Sequence, residues 1–317
     1  EKLAPSVSRG PWLATAYSMG STFDQVDGRV DGLMFTDGEE ERANGFWLKG
    51  NGIKGRQGSL DGFAGFESDG WGIAGGVDHR FAPGALVGVA VSYSDTSLSY
   101  RDQLDGNKDA ITSTQLTVYA AHDLGGAYID GMAAYAKNHN KTTRDTSLSG
   151  VATGSYDGSQ WGARIGGGVR MAVSSNVTVT PQAHVDWYDI KQDAYTEAGG
   201  GPLGLALDSR SADRLRSSVG AQLAFDANMG GLTARPFLRG FWNYDFKNDG
   251  VAASASFVSG GARFVTPGQR LDRNSYSLGA GVNFHAQKSL SATLAYEATL
   301  SDSYQLHTLQ AKVRWAF

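Results

Sequence analysis

Side chains able to do covalent or metal chemistry are few and scattered. There are no cysteines, so disulfides, thiolate metal sites and a cysteine nucleophile are excluded. His79, His122, His139, His184, His285 and His307 fall in separate candidate strands with no i, i+4 pair. Zinc-ligand spacing is therefore absent, and polar positions on strand faces explain them more simply. Neither a Gly-x-Ser-x-Gly elbow nor a Walker-type phosphate loop occurs. His184, Asp186 and Ser218 are residue types a hydrolase uses, but no spacing ties them together. No cofactor or metal is implied.

What the charged residues offer is complementarity. The stretch 13–34 carries Asp24, Asp27 and Asp31 against Arg29. Later segments place Arg80, Arg164, Arg170, Arg214, Arg216, Arg235, Arg239, Lys312 and Arg314 in their polar phase, with fewer acids there: Asp78, Asp186, Asp226 and Glu297. The chemistry is electrostatic: an acidic segment held against a basic wall by charge-assisted hydrogen bonds, chiefly from arginine. The plain alternative is that these cations are solvated near the barrel mouths, where each pair contributes about 0 to 1 kcal/mol.

Two kinds of element must position these groups. Ala16, Met19, Phe23, Val26, Val30 and Leu33 recur at alternating intervals of three and four, which predicts a helix over about 13–34. Ser21 with Asp24 offers a capping box for a later start, and a start at Leu13 stays open. Gly20, Gly28 and Gly32 each cost about 1 kcal/mol relative to alanine, so this helix needs an enclosure. At about 1.5 Å per residue it would be about 33 Å long, close to the roughly 30 Å of a hydrocarbon core. Its apolar stripe is too narrow and its charges too many for lipid. An amphipathic helix lying on a soluble sheet is the alternative. Glu1–Gly10 reads as linker and Thr36–Asn44 as a polar connection, giving a division into 1–44 and 45–317.

From Gly45 the pattern is strand after strand, expected at 45–56, 70–82, 86–99, 111–124, 127–141, 158–173, 177–191, 211–226, 232–246, 274–286, 289–301 and 304–317. The last shows the period of two best: Leu309, Val313, Trp315 and Phe317 oppose Thr308, Gln310, Lys312 and Arg314. Tyr276, Leu278, Ala280, Val282 and Phe284 oppose Ser277, Gly279, Gly281 and Asn283 in the same way. The segment 127–141 has mixed faces. Connections alternate long and short, from Gln57–Asp69 and Ala82–Ala85 through Thr142–Asp157 and Ser174–Asn176 to Lys247–Arg273 and Gln287–Lys288; the hairpin near Ser301–Ser303 breaks the trend.

An even number of amphipathic strands with short turns at one end and long loops at the other is the pattern of an outer-membrane barrel. A soluble lipocalin-like barrel or double sandwich has no reason to sort loop length by parity. With 43 Gly and 7 Pro in 317 residues, long ladders and close backbone approach are favoured. A net charge of −4 argues against nucleic acid as a partner. There is no apolar run of about 18 residues, so a helical span is not expected. A first residue other than Met suggests a piece of a longer precursor.

Several segments resemble the translocator domain of classical (type V) autotransporters, the autotransporter β-domain: the helix before the first strand, Phe46-Trp47-Leu48-Lys49-Gly50-Asn51-Gly52, Gly72-Ile73-Ala74-Gly75-Gly76-Val77-Asp78, Pro236-Phe237-Leu238, Ser277-Leu278-Gly279-Ala280-Gly281-Val282 and Val313-Arg314-Trp315-Ala316-Phe317. The resemblance runs from about Leu13 to Phe317 and implies a twelve-stranded up-and-down barrel threaded by the helix, with Phe23, Asp24, Val26, Asp27, Arg29, Val30 and Asp31 in the pore. It implies export of an upstream passenger to the surface of a bacterial outer membrane, after which the helix plugs the pore. It also implies a monomer surrounded by outer-membrane lipid and handled by periplasmic chaperones and the barrel-assembly machinery, for which Val313, Trp315 and Phe317 resemble the signal. Some relatives cut their passenger at an Asn in the helix. Residues 1–43 contain no Asn, which leaves Asp24, Asp27 and Asp31 as weak candidates. The competing readings are a diffusion porin or structural barrel and, last, a barrel enzyme.

Overall fold

The computed structural model describes residues 4–33, 44–229, 232–286 and 290–317, without the side chains of 25–33, 228–229, 232 and 286. The expected connection from Thr36 falls almost wholly outside them, as does the turn at Gln287–Lys288.

Twelve long antiparallel strands form a closed barrel. They are β1 (Asn44–Gln57), β2 (Phe66–Ala82), β3 (Ala85–Tyr100), β4 (Lys108–Asp123), β5 (Ala127–Asp145), β6 (Val151–Val169), β7 (Val177–Gln192), β8 (Arg210–Phe225), β9 (Leu232–Asp245), β10 (Asn274–Ala286), β11 (Leu290–Ser301) and β12 (Tyr304–Ala316). Each pairs with its sequence neighbours, and β1 closes on β12 from Gly45 opposite Ala316 to Gln57 opposite Tyr304. Closure leaves no edge with unpaired backbone groups, which lipid would not satisfy. Alternation decides the faces. Trp71, Ile73 and Val77 on β2 are about half exposed whereas Ala74 and Asp78, in the opposite phase, are buried, and Val313, Trp315 and Phe317 are each more than half exposed.

Short connections gather at one end. One two-residue turn there, Gly125-Gly126, has both residues at positive φ, 79° and 127°, which a two-residue hairpin of this twist requires. At the other end the expected long loop 142–157 is mostly ladder, because β5 and β6 stay paired to Asp145 and Val151. The protruding hairpin is held by a neighbouring loop, through a buried ion pair between Arg144 and Glu197 at 2.5 Å. The stretches 193–209 and 246–273 also hold more than loop. Tyr195–Thr196, Leu205–Leu207, Ala253–Phe257 and Phe264–Thr266 form a small separate sheet over a core of Leu205, Leu207 and Ala255.

The helix α1 (Gly10–Leu33) starts three residues before the expected Leu13. Ser8 Oγ accepts the Gly10 N–H at 3.1 Å, and Pro11 sits in the first turn, where a missing N–H costs nothing. The Ser21–Asp24 capping box does not form. Ser21 lies mid-helix and donates to the Ser18 carbonyl at 3.1 Å. Among the described residues no helix is long and apolar enough to cross a membrane.

Candidate functional site

The lumen is the one large interior of this fold, and the helix runs inside it. At the long-loop end, the described part of the segment expected to be linker, residues 4–10, forms a largely buried strap. The Gln269 amide donates to the Val7 carbonyl at 3.0 Å. Arg9, only 2 % exposed, donates from Nε to Gln57 Oε1 at 2.5 Å. It forks onto Asp272 through Nη1 at 2.9 Å and Nη2 at 3.2 Å and also reaches Ser303. Burial pushes the Asp272 carboxyl up, but hydrogen bonds from Arg9, Ser301 and Ser303, with the Arg9 charge, win and hold its pKa down at about 2.

Deeper in, the helix leans on one wall. Its Trp12, Ala16, Met19 and Phe23 pack into a buried cluster with Trp47, Ala74, Leu86, Ala90, Tyr119, Met132, Ala134 and Tyr188. Each large side chain buried this way is worth about 1.5–3 kcal/mol. The inner face of β1–β5 is thus partly apolar, not uniformly polar as strand alternation alone implies. Approach is close at Gly162, where an added Cβ would meet the Met19 sulfur at 2.3 Å. Polar contacts bracket this cluster: Thr22 donates to Ser92 Oγ at 3.1 Å and Tyr17 OH lies 2.5 Å from Thr308 Oγ1.

The other side of the helix faces a charged cavity lined by Asp24, Arg164, His184, Asp186, Arg216, Arg239 and Glu297, among others. Arg164 is its pivot. Its Nη1 donates to Asp24 Oδ1 at 2.8 Å, its Nε and Nη2 fork onto Asp186 at 2.5 and 3.0 Å, and its guanidinium lies 5.5 Å from the centre of the Phe23 ring. Arg164 and Asp186 are each 3 % exposed, so neither charge has water to turn to.

The expected basic residues all occupy inward positions, but much of their charge is answered within the wall. Arg214 and Arg216 share Asp245, at 2.6 and 2.9 Å. Arg235 meets Asp226 at 3.2 Å, Arg239 meets Glu297 at 2.5 Å, Arg170 meets Asp123 at 2.9 Å near the short turns, and Arg314 lies 4.0 Å from Asp78. Arg80 and Lys312 are half-buried on the same face. Of the helix residues singled out from sequence, Phe23 and Asp24 face this interior as described; Val26, Asp27, Arg29, Val30 and Asp31 have side chains outside the described residues. Sequence reasoning missed Arg9, Asp245, Lys49, which is buried on the inner face of β1, and Asp130, which lines the charged cavity. Asp245 could have been found, because it continues the inward phase of Arg235, Arg239 and Asn243; Asp130 lies on the strand whose phase is ambiguous. His184, Asp186 and Ser218 do share the inner wall, but Ser218 Oγ bonds Asn243 at 2.7 Å rather than the histidine.

The family model described as Autotransporter beta-domain matches residues 46–297. Outer membrane protein B of Rickettsia prowazekii is 23% identical over 312 residues, covering 95% of this chain and 19% of that protein. An extracellular serine protease of Serratia marcescens is 23% identical over 283 residues, 86% of this chain and 26% of the relative. The chain thus spans about a seventh to a quarter of the length of the curated relatives it matches. Among solved structures, the translocator domain of autotransporter NalP from Neisseria meningitidis superposes with a TM-score of 0.71 at 18% identity, over 95% of this chain and 98% of that one. The transport unit of the autotransporter AIDA-I from Escherichia coli gives 0.71 at 13% identity, over 91% and 97%.

Proposed function

We propose that this chain, which belongs to the autotransporter β-domain family, exports a passenger attached upstream of its helix and is afterwards plugged by that helix. It is an outer-membrane protein, and its barrel is the translocator part of a longer polypeptide. The observation that carries the reading is the direction of the helix. Its N-terminal strap is bound at the long-loop mouth through Arg9, Asp272 and Gln269. Its C-terminal end runs toward the short-turn end, where Asn44 of β1 pairs with Phe317. Long loops face outside in such barrels, so a passenger joined upstream of this strap emerges at the cell surface. A lumen filled by a packed helix also speaks against a diffusion porin. No catalytic role is assigned to the barrel. The chain works as a monomer in lipid, receives help from periplasmic chaperones, and is inserted by the barrel-assembly machinery through Val313, Trp315 and Phe317.

The test is a tag placed upstream of Glu1 behind a secretion signal. In intact cells it should be cleaved by added protease and bound by antibody. A tag protected until the outer membrane is broken open would overturn the reading.

A further inference from the structure

The outer wall carries a charge pattern that export does not use. Around the long-loop rim, outward cations are matched by acids: Lys54 with Asp69 at 3.9 Å, Arg101 with Glu67, Lys247 with Asp213 at 3.7 Å and Arg263 with Asp208 at 2.9 Å. Lys108, Lys137 and Lys141 are placed differently. All are exposed on the outward face of β4 and β5, and their cross-strand neighbours are neutral. Ser99 and Thr143 flank Lys108, Thr114 and Ser159 flank Lys137, and Ala110 and Ser155 flank Lys141. Of the acids in the patch, Asp157 is engaged by His139 at 2.7 Å, and Asp145, diagonal to Lys108, accepts the Ser147 N–H at 2.9 Å. Lys191, on the far side of Ser159, reaches Asp189 only at 4.0 Å. Asp95 on β3 and Asp189 and Asp193 beyond β6 bound the patch laterally.

Depth in the membrane says what this patch faces. Tyr135 and Trp161 sit opposite each other with ring centres 4.8 Å apart. Together with Trp71, Trp187, Trp242 and Tyr276, all outward and exposed, they mark the aromatic girdle at the upper interface. Lys137 follows Tyr135 by two residues, about 7 Å further along the strand, and Lys141 and Lys108 lie beyond it. Lys137 therefore stands at headgroup level, with Lys141 about 13 Å and Lys108, opposite Thr143, about 20 Å further along the strands, hydroxyls between them and an aromatic platform beneath.

We propose that Lys108, Lys137 and Lys141 on the outer face of β4–β5 bind the phosphates of an anionic glycolipid of the outer leaflet, with Thr143, Ser155 and Ser159 donating hydrogen bonds to the same headgroup. Three ammonium groups on one face complement a multiply phosphorylated headgroup, each a mobile point charge suited to phosphate. Tyr135 and Trp161 hold the adjoining sugar and chain region.

The full chain would be reconstituted in phosphatidylethanolamine vesicles containing either diphosphoryl lipid A or the same lipid dephosphorylated. Lipid retained after detergent extraction is quantified by mass spectrometry. Wild-type protein should retain the phosphorylated lipid several-fold better than the dephosphorylated one. The Lys108→Gln, Lys137→Gln, Lys141→Gln variant should lose that preference while remaining a heat-modifiable folded barrel; Lys54→Gln, and the same three lysines changed to arginine, should keep it. Equal retention of the two lipids by wild type, or an undiminished preference in the triple glutamine variant, overturns the proposal. So does full competition by millimolar inorganic phosphate, which would make the patch a general anion site.

Discussion

Arg164 links helix to wall with one side chain, and its surroundings set what its loss would do. Replacing Arg164 with Met strands Asp186 in a site 3 % exposed and removes the partner of Asp24. Breaking a buried pair from one side costs about 3–5 kcal/mol, so the variant should open frequently in single-channel recordings where wild type stays closed. A trace as quiet as wild type would show that the apolar contacts of Met19 and Phe23 suffice alone. At the mouth, Asp272 titrates at about 2 against an ordinary 3.8. A depressed carboxyl stabilises fully above its unfolded pKa, and that contribution, on the order of 2 kcal/mol, is lost as pH falls from about 4 through 2. Asp272→Asn should therefore melt below wild type at pH 6, with the gap closing as pH approaches 2. A gap that does not vary with pH would place the strap's stability elsewhere.

At the scale of the element, α1 is a poor helix made stable by where it sits. Three glycines weaken it, while Trp12, Ala16, Met19 and Phe23 are buried against the wall. Deleting residues 1–35 should leave a folded barrel that conducts as a narrow pore in planar bilayers. The emptied pore should prefer anions: Arg214 and Arg216 share one carboxylate, Lys49, Arg80 and Lys312 add positive charge on the inner face, and Asp24 leaves with the helix. Unchanged conductance would mean the helix does not plug the barrel, and cation preference would mean that Asp109, Asp130 and Asp245, acids buried on the inner face, set the field.

The whole molecule depends on one long-range pairing, β1 with β12, which joins residues near both ends of the chain. The last strand must be in place before the ladder is complete, and its Val313, Trp315 and Phe317 face lipid at the short-turn end. Removing Trp315–Phe317 deletes the partners of Phe46 and Asn44 and part of the lower apolar belt. Such a truncation should be degraded or held in the periplasm instead of appearing as a heat-modifiable outer-membrane species. Normal insertion would show that closure and recognition need only the residues before Trp315.

By itself the sequence determined the strands, their number, the end that carries long loops and, except at 127–141, the facing of the strands, because a barrel wall is a local pattern: alternation with a period of two, interrupted by turns. Helical periodicity likewise marked Met19 and Phe23 as one face. What only the tertiary structure decided was how the two parts meet. Among the described residues, that Arg164 bonds the helix follows from which strand curves past Asp24. That Arg9 anchors the strap depends on Gln57, Asp272 and Ser303, drawn from separate parts of the chain, and no local spacing encodes that encounter. The apolar inner surface of β1–β5 was hidden for the same reason. Trp47, Leu86 and Met132 lie on the face that alternation labels polar, and only a helix packed against that face gives them a reason to be there.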